Sequence, residues 1–205
     1  MSPRIRLFLF PTALLTTPLM AHAMTMPHIP GSSMPQTAPH GLQWVTWQQA
    51  RQYASLTDPH TRGRHGVVFR GQRVTITFVA HAPQHPDMSF EAGGRTDPTV
   101  YVNPGARVTL RVLNMDYGNG MQHGLVITTA KPPYPVVLTC PLPDTLARVP
   151  TLPPRSQARP QAARYAQATT TFVAPRAGTY YYLCPVPGHA RAFRMYGRFV
   201  IRAHG

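Results

Sequence analysis

The sequence predicts an all-β domain, a sandwich or barrel of short strands led by one short helix. Three observations carry this. Apolar residues alternate at period two in several runs from Val74 onward. Pro, Gly and Asn punctuate those runs, as at Asn103-Pro104-Gly105. A convincing 3.6-residue period occurs in one stretch only, residues 45–56.

Taken in order, the chain opens with Arg4 and Arg6 before an apolar run, LFLFPTALLTTPLM, that ends at Ala21-His22-Ala23. A basic start, a short apolar core and an A-x-A site form an export signal, so residues 1–23 are expected to be a signal peptide. The run is short for a membrane span, and Pro11 and Pro18 interrupt it. The mature protein is therefore expected in the periplasm, without stable membrane insertion. Residues 24–43, rich in Pro, Gly, Ser and Met, read as a flexible leader. Its Met24, Met26, His28 and Met34 are donor types that suit copper, which leaves a storage or delivery role open.

The folded domain is expected over residues 44–205. VTWQQARQYASL (45–56) is the helix, with a capping-box pattern at Thr46 and Gln49 and one face formed by Trp47, Ala50, Tyr53 and Ala54. Strands follow in RVTITFVA, where Val74, Ile76, Phe78 and Ala80 alternate, then in TVYV (99–102) and in ARVTLRVLN (106–114). HGLVITT (123–129), TTFVA (170–174), TYYYLC (179–184) and RFVIR (198–202) complete the set. Residues 131–169 break the rhythm with nine prolines, and are expected to hold a short strand near PVVLTC and then wrap the surface.

Charge narrows the function. Nineteen arginines and one lysine face six carboxylates (Asp58, Asp87, Glu91, Asp97, Asp116 and Asp144), for a net charge of +14. The arginines are scattered singly or in pairs, with no basic run or RNA-binding signature, so a nucleic-acid partner is excluded. Few carboxylates mean few native ion pairs to lose on protonation, which suits an acidic environment.

The chemistry concentrates in GTYYYLCPVPGHARAFRMYG (178–197), where Cys184, His189 and Met195 occur together. A thiolate, an imidazole and a thioether are a soft donor set that suits copper and not magnesium or calcium. A loop of this kind needs a further ligand from a neighbouring strand, and His123 in GMQHGLVIT is the candidate. Two histidines and a cysteine in a plane, with a distant axial methionine, make a blue-copper site, which carries electrons rather than transforming substrates. A Cys140–Cys184 disulfide is the rival reading. It leaves the Cys-x4-His spacing unexplained, and Cys140 then reads as a buried, inert thiol.

AGTYYYLCPVPGHA resembles the copper loop of cupredoxins, the type 1 blue copper family, and most closely its rusticyanin branch. DPTVYVNPGARVTLRVLNMDYGNGMQHGLVIT followed by KPPYPV resembles the first-histidine region of that branch, and VVFRGQRVTITFVAHAPQHPDMSFE matches in kind. The resemblance spans roughly residues 44–202. It implies a cupredoxin-like Greek-key β-sandwich or barrel, and one type 1 copper held by His123, Cys184, His189 and Met195. It also implies a non-enzymatic, monomeric electron carrier between iron oxidation and a respiratory chain, with c-type cytochromes as partners. Two departures stand out. Five residues separate His189 from Met195 where the family has four, and Gly124 occupies the place of a serine or asparagine after the first histidine.

Overall fold

The computed structural model describes residues 40–55, 61–63, 66–139 and 141–203. The expected signal peptide, most of the expected leader, and Cys140 lie outside the described residues.

Strand β1 (His40–Thr46) runs directly into helix α1 (Trp47–Ser55). Strands β2 (Thr61–Gly63), β3 (Gly66–Phe69), β4 (Arg73–Ala80), β5 (Phe90–Ala92), β6 (Arg95–Thr96) and β7 (Thr99–Val102) follow. Then come β8 (Arg107–Asn114), β9 (His123–Thr128), β10 (Ala147–Leu152) and β11 (Arg164–Val173). The chain ends with β12 (Gly178–Leu183), the one-turn helix α2 (His189–Ala192) and β13 (Tyr196–Ile201).

These strands form two mixed sheets, ordered β1-β11-β8-β4-β5-β6 and β10-β9-β12-β13-β7-β3-β2. The pairs β4–β8, β13–β7 and β3–β7 are parallel. The main core lies between the sheets. Ile76, Phe78, Val108, Leu110 and Val112 from the first meet Leu125, Ile127, Tyr182 and Phe199 from the second. The period-two alternation thus selects the inner faces, as expected from the sequence. Truncating a buried ring such as Phe78 to Ala is expected to destabilise by about 3–5 kcal/mol.

The outer face of the first sheet is covered by α1. Ala50, Trp47, Tyr53 and Ala54 pack with Val79, Leu113 and Tyr165, which explains why β4 is buried on both faces near its end. The capping box forms as its residues predict. Gln49 N–H donates to Thr46 Oγ1 at 3.3 Å and Thr46 N–H donates to Gln49 Oε1 at 2.9 Å. Caps of this kind contribute about 1 kcal/mol.

Three expectations are corrected. β1 begins at His40, four residues inside the segment read as leader (24–43), and pairs with β11 from His40 to Thr46. No strand forms at 135–139; Val136 and Val137 are exposed there. The strand of the Pro-rich segment is instead β10, which pairs with β9 on the rim of its sheet. An outer strand tolerates Pro150, which a central one would not. β11 is also longer than the expected TTFVA. Its first half, RYAQAT, packs through the buried side chains of Tyr165, Ala166, Gln167 and Ala168, too polar and too small to read as a strand.

A close approach ties β12 to β13. Tyr182 pairs with Gly197, and its hydroxyl donates to the Pro98 carbonyl at 2.7 Å. A Cβ at position 197 would collide with the Tyr182 ring, so glycine is required there.

Candidate metal centre

His123 is the first residue of β9, and Cys184 directly follows β12. These strands are neighbours in the second sheet, paired through Leu183 and Val126. The pairing brings two residues 61 positions apart to one end of the sandwich. The chain then turns at Gly188, whose φ of +85° is a left-handed conformation open to glycine, and enters α2 at His189. His189 N–H donates to the Val186 carbonyl at 3.1 Å.

The side chains converge. Cys184 Sγ lies 3.8 Å from His123 Nδ1 and 3.5 Å from His189 Nδ1. The three donor atoms all lie within 4.8 Å of one another, and the three residues are buried. Among the described residues this is the one cluster of three or more His, Cys, Asp or Glu groups arranged to hold a metal. Metal bonds of about 2.3 Å to sulfur and about 2.0 Å to nitrogen, opened to a trigonal angle, span about 3.7 Å from S to N. The observed separations match that span. Cys184 is free of any disulfide, which removes the rival reading.

Met195 is the fourth residue expected in the set. The five residues ARAFR fold as the single turn of α2, its cap Phe193, and Arg194 at a φ of +59°. Met195 N–H donates to the His189 carbonyl at 3.2 Å, and its own carbonyl accepts from Cys184 N–H at 3.1 Å. The Met195 side chain is fully buried in the same core cluster as Cys184.

Electrostatics favour a neutral imidazole and a proton on sulfur until a cation arrives. Burial, then the charge of His123, pushes the His189 pKa down to about 4, with Asp116 acting in the opposite direction. Burial pushes the Cys184 thiol up to about 11, against the backbone N–H groups of Val186 and Gly124 that lower it. A thiophilic cation exchanges for that proton on binding. Gly124, which lacks a side-chain donor, thus still turns a backbone donor to the sulfur.

The sequence reading missed Asp116. Its Oδ2 lies 3.0 Å from His123 Nε2, and both side chains are buried. Burial raises its pKa, but the His123 and Tyr117 hydrogen bonds and the charges of His81 and His123 hold it below the ordinary carboxylate range. The available signal was modest: a rare carboxylate seven residues before the metal-site histidine. His81 and His85, the other close histidine pair, do not join a second cluster. His81 Nδ1 faces Asp87 at 2.5 Å, and His85 Nδ1 lies 2.7 Å from Thr96 Oγ1. Phe193, on the same loop, is 56% exposed, with its ring edge-on to His189 at 6.2 Å.

Two mixed sheets with a buried His–Cys–His cluster at one end, one histidine from β9 and the cysteine and second histidine from the loop between the last two strands, define a cupredoxin. No protein-family model matches the chain. Rusticyanin of Acidithiobacillus ferrooxidans is 32% identical over 170 residues, covering 81% of this chain and 85% of the relative. Rusticyanin of Acidithiobacillus ferridurans is 31% identical with the same coverage. The solved rusticyanin of Thiobacillus ferrooxidans superimposes with a TM-score of 0.68 at 28% identity, covering 80% of this chain and 98% of that one. The chain belongs to the rusticyanin family.

Proposed function

We propose that this protein binds one type 1 copper and carries single electrons between redox partners. The observation that carries the reading is the convergence of Cys184, His123 and His189, buried and free of any disulfide. Cys184 is the thiolate ligand, His123 and His189 are the imidazole ligands, and Met195 is the weak axial donor. Similarity supports it: a solved rusticyanin is a copper protein, and rusticyanin is also known in a reduced form. Copper held there supplies a one-electron couple between Cu(II) and Cu(I).

The chain's part is to hold the donors still and dry. Backbone bonds tie Cys184 to Met195 and Met195 to His189, so the ligand loop is closed on itself. Little of it need move when charge changes. Tyr182 and Phe199 are fully buried in the same core cluster as Cys184 and Met195, and a dry shell favours the less charged reduced site. His189 is 5% exposed, beneath exposed Phe193. The Gly188 N–H donates to the carbonyl of Val136 at 2.7 Å, which brings exposed Val136 and Val137 beside the same loop. This apolar surface is where electron partners dock, through small and transient contacts.

The finer reading follows the family resemblance and the N-terminal sequence. The mature protein acts in the periplasm as a monomer, takes electrons derived from iron oxidation, and exchanges them with c-type cytochromes. It is a carrier and not an enzyme. Metal analysis and voltammetry test this together. One copper per chain and a reversible one-electron couple that survives deletion of residues 24–39 support the carrier. Two coppers per chain point to an oxidase, and loss of the couple with that segment points to copper storage or delivery.

A further inference from the structure

His123 reaches the metal centre with Nδ1, so its other nitrogen is free to be read by the protein. Nε2 lies 3.0 Å from Asp116 Oδ2 with both side chains buried. Asp116 is itself held by two further hydrogen bonds. Its N–H donates to Asn114 Oδ1 at 3.0 Å, and its Oδ1 accepts Tyr117 N–H at 2.7 Å. Asn114 Nδ2 in turn lies 3.0–3.1 Å from the carbonyls of Met121, Leu152 and Pro153, which fastens the loop before His123 to the end of β10. On its outer side Asp116 borders an open cavity of about 280 Å³ shared with His81, Asp87 and Arg155. Its carboxylate therefore stands between that cavity and the buried imidazole, with His81 Nδ1 at 3.8 Å.

We infer that Asp116 is a positioning residue for the metal centre: it accepts the Nε2–H of His123, which leaves the lone pair on Nδ1 beside Cys184 Sγ. An imidazole has one N–H when neutral, and the partner of one nitrogen decides which tautomer the other presents. A carboxylate in this place also raises the basicity of the ligand. A full negative charge there favours the more highly charged oxidised metal over the reduced one, so it holds the reduction potential down. The inference rests on the copper reading for its redox consequence, and on the structure alone for the tautomer.

Two variants separate the parts. Asp116→Asn keeps an oxygen that accepts the Nε2–H but removes the charge, and Asp116→Ala removes both. Asp87→Asn removes a carboxylate on the same cavity that lies against His81 and has no contact with His123, so it controls for charge at a distance. In the metal-free protein at neutral pH, nitrogen NMR of His123 is expected to show the single Nε2–H tautomer in the native and Asp116→Asn proteins. Asp116→Ala is expected to show a mixture. With copper bound, Cu(II) affinity in Asp116→Ala is expected to fall about 10- to 100-fold. Each tenfold loss not matched in Cu(I) affinity raises the potential by about 59 mV.

Asp116→Asn also raises the potential, and Asp87→Asn leaves both affinity and potential unchanged. A native His123 protonated on Nδ1 overturns the inference. So does an Asp116→Asn protein whose potential matches the native one, which decides the case even where the alanine variant fails to fold. So does an Asp87→Asn effect of equal size. Failure of the native protein to take up copper sinks the copper reading and leaves the tautomer measurement standing.

Discussion

Cys184 and Met195 are joined through their backbones: the N–H of the cysteine donates to the methionine carbonyl at 3.1 Å. The bond closes the ligand loop, so the register of Met195 is fixed by the residue that anchors the metal. Met195→Leu conserves volume, and is expected to change stability by less than about 1.5 kcal/mol. Removing a weak donor destabilises Cu(II) more than Cu(I), so the potential is expected to rise, by about 60 mV for each tenfold change in relative affinity. Voltammetry of the variant checks this, and an unchanged potential removes Met195 from the ligand set.

Gly124 sets a second lever on the same sulfur. A Cβ at this position would sit 3.1 Å from the Val149 carbonyl oxygen, 3.2 Å from Pro185 Cγ and 3.3 Å from the Pro150 carbonyl carbon. Gly124→Ser is therefore tolerated with small shifts, at about 1 kcal/mol of stability. Its hydroxyl adds a donor beside the thiolate, which favours the reduced site and raises the potential. Redox titration showing the parent's potential would dismiss this account of the tuning.

Asp97 makes stability depend on pH in a direction unusual for a carboxylate. Burial raises its pKa to about 7, against the Phe90 N–H that lowers it, while an ordinary aspartate titrates near 3.8. The folded protein therefore holds a proton that the unfolded chain releases above about pH 3.8. The stabilisation is complete below that value and is lost as pH rises through about 7, on the order of 4 kcal/mol in all. Asn at this position cannot ionise and tolerates the φ of +41°. Asp97→Asn is expected to unfold at higher denaturant than the parent at pH 8 and at the same denaturant at pH 3. Equal midpoints at both pH values would contradict the assignment.

Asp116 acts in the opposite sense. Its depressed pKa gives stability that is present above the ordinary carboxylate range and lost as pH falls through the lower folded value. With only six carboxylates in the chain, few such losses accumulate. The protein is expected to remain folded to about pH 3, the range in which carboxylates take up protons. Circular dichroism showing cooperative unfolding well above that pH would contradict this.

Much of the candidate site was legible because its chemistry is local: Cys184 and His189 lie within one loop, and their spacing carries the signal. His123 was legible only as a member of a longer motif, since strand pairing over 61 positions brings it to Cys184. Asp116 was not legible, because a hydrogen bond to the far side of an imidazole leaves no periodicity. The helix was read from its capping pair, and the central strands from their alternation. The misread elements share a cause. β10 carries a proline that only a rim position excuses, and the start of β11 is a central strand built from alanine and glutamine. β1 lies where composition suggested a linker, and its partner, β11, is more than a hundred residues away.

The central claim is that Cys184 binds copper as a thiolate between His123 and His189. The optical spectrum of the copper-loaded, oxidised protein tests it most directly. The account predicts an intense blue thiolate-to-copper band, with the EPR signature of a type 1 site, both lost in Cys184→Ser. A colourless protein that nonetheless retains copper, or a blue band that survives in Cys184→Ser, would contradict it.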